Sequence, residues 1–92
     1  MDDHRKRLLY RAHHRGFREA DLLIGAFADA HLEAFTDQEA ADFAAILEVP
    51  DQDLYAWLVG RTDPPPNFDT DMLRRMQAFR FAEGDSPATR GA

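Results

Sequence analysis

The chain has 92 residues, of which 45% are hydrophobic and 30% charged, with no cysteine and a net charge of −6. This length supports one compact core and leaves no room for a deep cleft between two lobes. The lack of cysteine excludes disulfides, thiolate chemistry and iron–sulfur ligation. No run approaches the roughly 20 apolar residues of a membrane-spanning helix. The polar, acidic N-terminus is not typical of a signal or transit peptide, so we expect a cytoplasmic protein.

The charges are unevenly distributed. Residues 1–19 carry six basic and three acidic side chains, residues 20–73 carry twelve acids and a single arginine, and residues 74–92 carry four bases and two acids. A basic end on an acidic body is typical of a nucleic-acid arm or of a charged docking surface for a protein. Because the acidic body repels phosphates, the distribution favours a protein partner.

Apolar residues recur at helical spacing along the chain, and no run alternates as a half-buried strand would. The pattern predicts an all-α fold, a compact five-helix bundle in a single domain over residues 1–82, with a flexible C-terminal tail over 83–92. The helices are expected near 4–14, 18–33, 37–48, 52–59 and 69–82. The side chains expected to be largely buried are Leu23, Phe27, Phe43, Leu47, Leu54, Trp57, Leu58 and Met76.

One glycine follows the first predicted helix and another lies inside the second. Gly16 is expected to end the first helix in the left-handed backbone conformation. Gly25 lies inside the second helix at a cost of about 1 kcal/mol relative to alanine, which predicts close packing against a neighbour. The inward stripe of that helix is predicted to be Leu23, Phe27, Ala30 and Ala34.

Helix starts are signalled further along the chain. Thr36 and Glu39 have the spacing of a capping box, in which each side chain accepts a hydrogen bond from the other residue's backbone N–H. Asp51 is expected to cap the fourth helix, and Asp69 or Thr70 to begin the fifth. The three prolines at 64–66 predict a stiff extended linker.

The sequence offers little to carry chemistry or bind a small molecule. His13 and His14 are adjacent on a helix, so their side chains diverge and cannot easily hold one metal ion. The acidic pairs are explained as helix caps and first-turn charges. The helix over 37–48 has no basic residue and so lacks the donors of a DNA-recognition helix. No G-x-G-x-x-G loop is present to seat a dinucleotide. We therefore predict no catalytic residue, no metal, no cofactor of its own and no nucleic-acid partner.

The most unusual local feature is the segment from Arg15 to Glu19, Arg-Gly-Phe-Arg-Glu. It reads as a helix–turn–helix corner in which Glu19 is a favourable first-turn charge. It also reads as a docking point, because a glycine lets another backbone approach and the flanking charges offer directional hydrogen bonds. Both interpretations stay open on the residues alone. Arg7, Arg11 and His14 form a basic stripe on the preceding helix.

Several motifs together resemble the succinate dehydrogenase assembly factors, also called flavinylation factors, from about residue 7 to residue 81. The Arg-Gly-x-x-Glu signature of that family matches Arg15, Gly16 and Glu19. Further similarity lies in Arg-Leu-Leu-Tyr at 7–10, Asp-Leu-Leu at 21–23, Phe-Ala at 27–28, Thr-Asp-Gln-Glu at 36–39, Asp-Leu-Tyr-Ala-Trp-Leu at 53–58 and the proline linker. The His13-His14 pair departs from the family pattern.

This resemblance implies a five-helix monomeric chaperone that promotes covalent attachment of FAD to the flavoprotein subunit of succinate dehydrogenase, or of fumarate reductase. The FAD belongs to that client. The partner-binding residues implied are Arg15, Gly16 and Glu19, with Asp21, Arg7, Arg11, His14 and Arg18 around them. Some bacterial members have been labelled antitoxins, so a module that neutralises a toxin is the alternative function.

Overall fold

A computed structural model of the chain describes residues 1–80. These residues form five α-helices and contain no β-strand, as the sequence predicted. The helices are α1 (Asp3–His13), α2 (Arg18–His31), α3 (Asp37–Leu47), α4 (Asp51–Leu58) and α5 (Asp71–Phe79), with 3₁₀ turns at Leu32–Ala34 and Pro66–Phe68. The predicted end of the fifth helix at residue 82 and the predicted tail over 83–92 lie outside the described residues.

The first two helices form an antiparallel hairpin. Leu8 and Ala12 of α1 are buried against the rest of the bundle. The His13 ring lies over Gly25 of α2, where an added Cβ would fall 2.5 Å from its Nδ1 atom. Its Nε2 atom is 2.8 Å from the Asp29 carboxylate. The predicted close packing at Gly25 is therefore confirmed, and a histidine occupies the space.

One apolar core joins all five helices within the described residues. Six of the eight side chains expected in it are buried, namely Phe27, Phe43, Leu47, Leu54, Leu58 and Met76. Leu23 and Trp57 are only partly buried, so the expectation for these two was too strong. The Trp57 ring packs 5.5 Å from that of Phe68, just after the proline linker. Its backbone oxygen accepts a hydrogen bond from the Gln77 side chain of α5.

The inward stripe of α2 differs from the one predicted. Its buried residues are Ala20, Ile24, Gly25, Phe27 and Ala28, while Ala30 and Ala34 are exposed. Residues 22–28 are apolar on nearly every side of the helix, so periodicity alone does not select the buried face. The α-helix also ends at His31, and the following 3₁₀ turn changes the angular spacing before Ala34 is reached.

Local capping signals are reproduced at two helix starts. Thr36 accepts a hydrogen bond from the Glu39 backbone N–H, and the Glu39 carboxylate accepts one from the Thr36 N–H at 2.8 Å. At the start of α5, Thr70 accepts from the Leu73 N–H. The predicted capping box and the Thr70 start are confirmed.

The fourth helix begins differently from the prediction. Its N-cap is Pro50, and Asp51 is the first helical residue, with a carboxylate that turns toward Arg15 instead of capping the helix. The helix ends just before Gly60, whose φ of 81° places it in the left-handed region that favours glycine. Among residues 1–80, no helix combines the length and apolar character needed to cross a bilayer.

Candidate partner-binding corner

The corner between α1 and α2 is organised around the side chain of Arg15. Its Nη1 and Nη2 atoms donate to the backbone oxygens of Leu47 and Val49 at 2.9 and 3.0 Å, where α3 ends. Its Nε atom is 2.7 Å from the Asp51 carboxylate, and the arginine side chain is only 7% exposed. Arg15 therefore joins the first corner to the α3–α4 junction, and its charge faces inward.

Gly16 lies against the same carboxylate. A Cβ built on Gly16 would fall 2.5 Å from Asp51 Oδ2, closer than real Cβ contacts come. Its φ lies outside the left-handed region, so the expected left-handed helix end at this position is wrong. The chain instead leaves α1 through His14, at φ −127° and ψ 62°, and enters α2 through an extended Phe17. A side chain at this position would therefore collide with the Asp51 carboxylate, and a positive φ does not explain the glycine.

Asp21 also belongs to the inside of the corner. Its carboxylate accepts a hydrogen bond from the backbone N–H of Arg15, which lies just beyond the end of α1. The ring of Phe17 meets Tyr55 of α4 edge to face at 5.2 Å. These contacts fix the path of the chain between the two helices.

The outward side of α1 carries part of the predicted basic stripe. Arg7 and His14 are exposed, and between them the ring of Tyr10 is 64% exposed and stacks on the His14 imidazole at 3.9 Å. The His14 Nδ1 atom lies 2.6 Å from the Tyr10 backbone oxygen, which fixes the orientation of the stack. A shallow groove of about 380 Å³ runs along this side and is lined by Asp3, Lys6, Arg7, Tyr10 and Arg11.

The first turns of α2 continue the exposed surface. Arg18 and Glu19 are exposed, and neither makes an ion pair with another residue of the 1–80 segment. Leu22 follows them at the i+3 and i+4 spacing that places residues on one side of a helix, and it is 59% exposed. We define the outer face as six exposed residues of α1, its C-cap and the first turns of α2: Arg7, Tyr10, His14, Arg18, Glu19 and Leu22.

The eight candidate residues thus separate into two groups, with one between them. Four of them, Arg7, His14, Arg18 and Glu19, belong to the outer face. Arg15 and Asp21 make contacts inside the protein, and Gly16, although exposed, lies against the Asp51 carboxylate. Arg11 lies between the groups, because its side chain is 40% exposed and its guanidinium pairs with Glu48 at 2.5 Å.

Sequence reasoning missed three residues of this region. Tyr10 lies at helical spacing from Arg7 and His14, and Leu22 at the same spacing from Arg18 and Glu19, so a search for exposed apolar residues within charged stripes could have found both. Asp51 is different. Nothing near it in the sequence signals that its carboxylate meets Arg15 and Gly16.

Comparisons with known proteins bear directly on this corner. The sequence profile of one family, described as the flavinator of succinate dehydrogenase, matches residues 6–80. The chain belongs to this family. The matched segment includes the whole corner and all five helices, apart from the first residues of α1.

Individual relatives agree with the family assignment. The chain is 49% identical over 72 residues to the FAD assembly factor SdhE of Acetobacter pasteurianus, covering 78% of this chain and 66% of that protein. It is 36% identical over 73 residues to the mitochondrial succinate dehydrogenase assembly factor 2 of Dictyostelium discoideum, covering 79% and 52%. With the 2-B form from Drosophila melanogaster it shares 30% over 79 residues, covering 84% and 51%.

The chain spans about half to two thirds of the length of these relatives. Their names describe assembly factors and give the antitoxin alternative no support.

Proposed function

We propose that this chain is an assembly factor that binds the flavoprotein subunit of succinate dehydrogenase, or of fumarate reductase, and promotes covalent attachment of FAD to it. It acts in the cytoplasm as a monomer and contributes no catalytic residue. The observation that carries the proposal is the outer face. It presents charges on Arg7, Arg18 and Glu19 that are unpaired within residues 1–80, beside two exposed apolar side chains, on a corner that Arg15 holds from inside.

Such a surface suits a transient protein contact. Tyrosine and arginine are enriched where protein interfaces concentrate their binding energy, and charged groups set the orientation and rate of the encounter. A charge-rich surface of modest size allows the helper to dissociate once the flavin is attached. Its contribution to the reaction is to restrict the flavoprotein to a reactive arrangement, because holding reacting groups in place lowers a barrier without new chemical groups.

The FAD remains a ligand of the flavoprotein in this proposal. The grooves along the described helices are open and shallow, and no glycine-rich loop precedes a helix to receive a pyrophosphate. We expect calorimetric titration of the isolated chain with FAD to give no stoichiometric complex of micromolar or tighter affinity. A complex of that strength would make the chain a flavin carrier instead.

The direct test mixes apo-flavoprotein, FAD and the chain, and follows covalent flavin by in-gel fluorescence after denaturation. The wild-type chain should accelerate attachment, and Glu19→Ala should slow it about tenfold or more, as removal of a central interface residue does. Glu33→Ala is the matched control, because Glu33 is also an exposed acid and lies in the 3₁₀ turn at the far end of α2.

Two results would count against the proposal. If flavin attachment proceeds equally fast with and without the wild-type chain, the proposed function is wrong. If a folded Glu19→Ala variant supports flavin attachment at the wild-type rate, the proposed function stands, but the outer face around Glu19 is not the surface that binds the flavoprotein.

A further inference from the structure

The Arg15 guanidinium depends on a residue that the signature does not contain. Two of its nitrogens donate to the Leu47 and Val49 backbone oxygens. The third, Nε, is buried and makes no hydrogen bond in the described part of the chain. Its compensation is the ion pair with Asp51 Oδ1 at 2.7 Å. A buried charged donor without a partner is costly, so this carboxylate is needed to hold the arginine in place.

The same carboxylate fills the space in front of Gly16. Oδ1 is held by Arg15, and Oδ2 then lies 2.5 Å from the position that a Cβ on Gly16 would take. The Cγ and Cβ atoms of Asp51 lie 3.5 and 3.7 Å away, at ordinary contact distances. A side chain at position 16 can therefore be accommodated only if the carboxylate turns away and weakens its pairing with Arg15.

No backbone reason for the glycine competes with this explanation. Gly16 is outside the positive-φ region, so its φ does not call for a glycine. Where conformation and space allow, exchanging glycine for alanine stabilises a protein, because it reduces the freedom of the unfolded chain. At Gly16 the φ angle does not oppose the exchange, but the Asp51 carboxylate does.

We propose that Asp51 is the missing positioning residue of the Arg15-Gly16-x-x-Glu19 signature. Its carboxylate anchors Arg15 and thereby fixes the corner that presents Arg18 and Glu19. Gly16 is a glycine to make room for this carboxylate. The link from this anchor to partner binding rests on the proposed function, whereas the contact itself does not.

A double-mutant cycle on the isolated chain tests the contact. The variants are Gly16→Ala, Asp51→Ala and both together, with unfolding by urea followed by circular dichroism. Gly16→Ala should raise the unfolding equilibrium constant about tenfold in the wild-type background, a coupling typical of residues in direct contact. In the Asp51→Ala background the same change should have an effect below about twofold, or become stabilising, because the space is then open.

Two further variants test whether the effect comes from the size of the Asp51 side chain, from its charge, or from any acid on this helix. Asp51→Asn keeps the volume of the side chain, so Gly16→Ala should still lower the stability of the protein in the Asp51→Asn background. Asp53→Ala removes an exposed acid from the same helix turn, and the effect of Gly16→Ala should be unchanged in that background. An equal effect of Gly16→Ala with and without the Asp51 side chain would overturn the proposal, as would a Gly16→Ala variant as stable as wild type.

The positioning role is tested by the concentration of the chain that half-saturates flavin attachment, at a temperature where every variant is folded. Asp51→Ala should raise this concentration about tenfold with little change in the maximal rate, because the outer face keeps its residues but loses its fixed orientation. Asp51→Asn keeps an oxygen for Arg15 and should restore most of the affinity. A folded Asp51→Ala variant with wild-type half-saturation would refute the positioning role.

The two measurements fail separately. If the wild-type chain does not accelerate attachment, the proposed function is wrong, but the coupling between Gly16 and Asp51 can still be measured. If attachment is accelerated and the coupling is absent, the function survives and this inference does not.

Discussion

The two junctions on either side of α2 are held in different ways. At the first, Arg15 reaches residues more than thirty positions away, at the end of α3 and the start of α4. At the second, Thr36 and Glu39 satisfy each other's backbone N–H groups three residues apart. The first junction therefore depends mainly on the tertiary fold, whereas the second has a local capping box to which Arg5 and Arg75 add contacts from distant parts of the chain. The junction that depends on the fold is also the one that presents the outer face.

The largest loss of stability is expected at the first junction, where Arg15 contacts distant residues. Arg15→Ala removes the ion pair of Asp51 and leaves two carbonyl oxygens without their donor, so it should lower the free energy of unfolding by about 2–4 kcal/mol. Urea unfolding measures it, with Arg18→Ala as the matched control because that arginine is exposed and unpaired within residues 1–80. A loss below about 1 kcal/mol would mean that the corner does not depend on its distant partners.

A smaller effect is expected at the local junction. Thr36→Ala removes the side-chain cap of α3 and should cost about 1 kcal/mol, the usual value for a lost N-cap. Thr36→Ser keeps the hydroxyl and should retain most of the stability. Equal losses for the serine and alanine variants would show that the methyl group, and not the hydrogen bond, supports this junction.

The outer face should contribute less to stability than either junction. Glu19→Ala removes a negative charge from the first turn of α2, where it interacts favourably with the helix dipole. We expect the free energy of unfolding to fall by about 0.3–1 kcal/mol. Thermal unfolding of this variant beside Arg15→Ala measures the difference between the outer and inner halves of the signature. A Glu19→Ala variant as unstable as Arg15→Ala would remove the distinction drawn here between contact and positioning residues.

The smallest effect concerns acid pH at the second junction. The Thr36 backbone N–H, with help from Arg75, holds the pKa of Glu39 below its ordinary value. A depressed folded-state pKa means that the carboxylate stabilises the protein above its unfolded-state pKa, and that this contribution is lost as the pH falls through the folded-state value. The stability difference between wild type and Glu39→Gln should shrink as the pH falls below the ordinary range of glutamate.

Urea unfolding at a series of pH values measures this difference. The pKa of Asp2 is lowered in the same direction, chiefly by its hydrogen bond from the Arg5 backbone, but that contribution is common to both proteins and cancels. A difference that stays constant into strong acid would mean that the charge of Glu39 does not contribute.

The sequence alone determined the features that depend on neighbours within one helical turn. These are the five helices, the Thr36–Glu39 capping box and the cap at Thr70. Each follows from side-chain spacing or from a hydrogen bond between residues three or four apart.

Only the tertiary structure decided which side of α2 is buried, that Asp51 leaves its own helix uncapped, and that Arg15 faces inward while Glu19 faces outward. Residues 22–28 offer an apolar side chain in almost every direction, so the choice of buried face belongs to the neighbouring helices. Arg15 and Asp51 are too far apart in the sequence for any local pattern to pair them. Their charges meet because the bundle closes around them, and a contact of that kind exists only once the chain has folded.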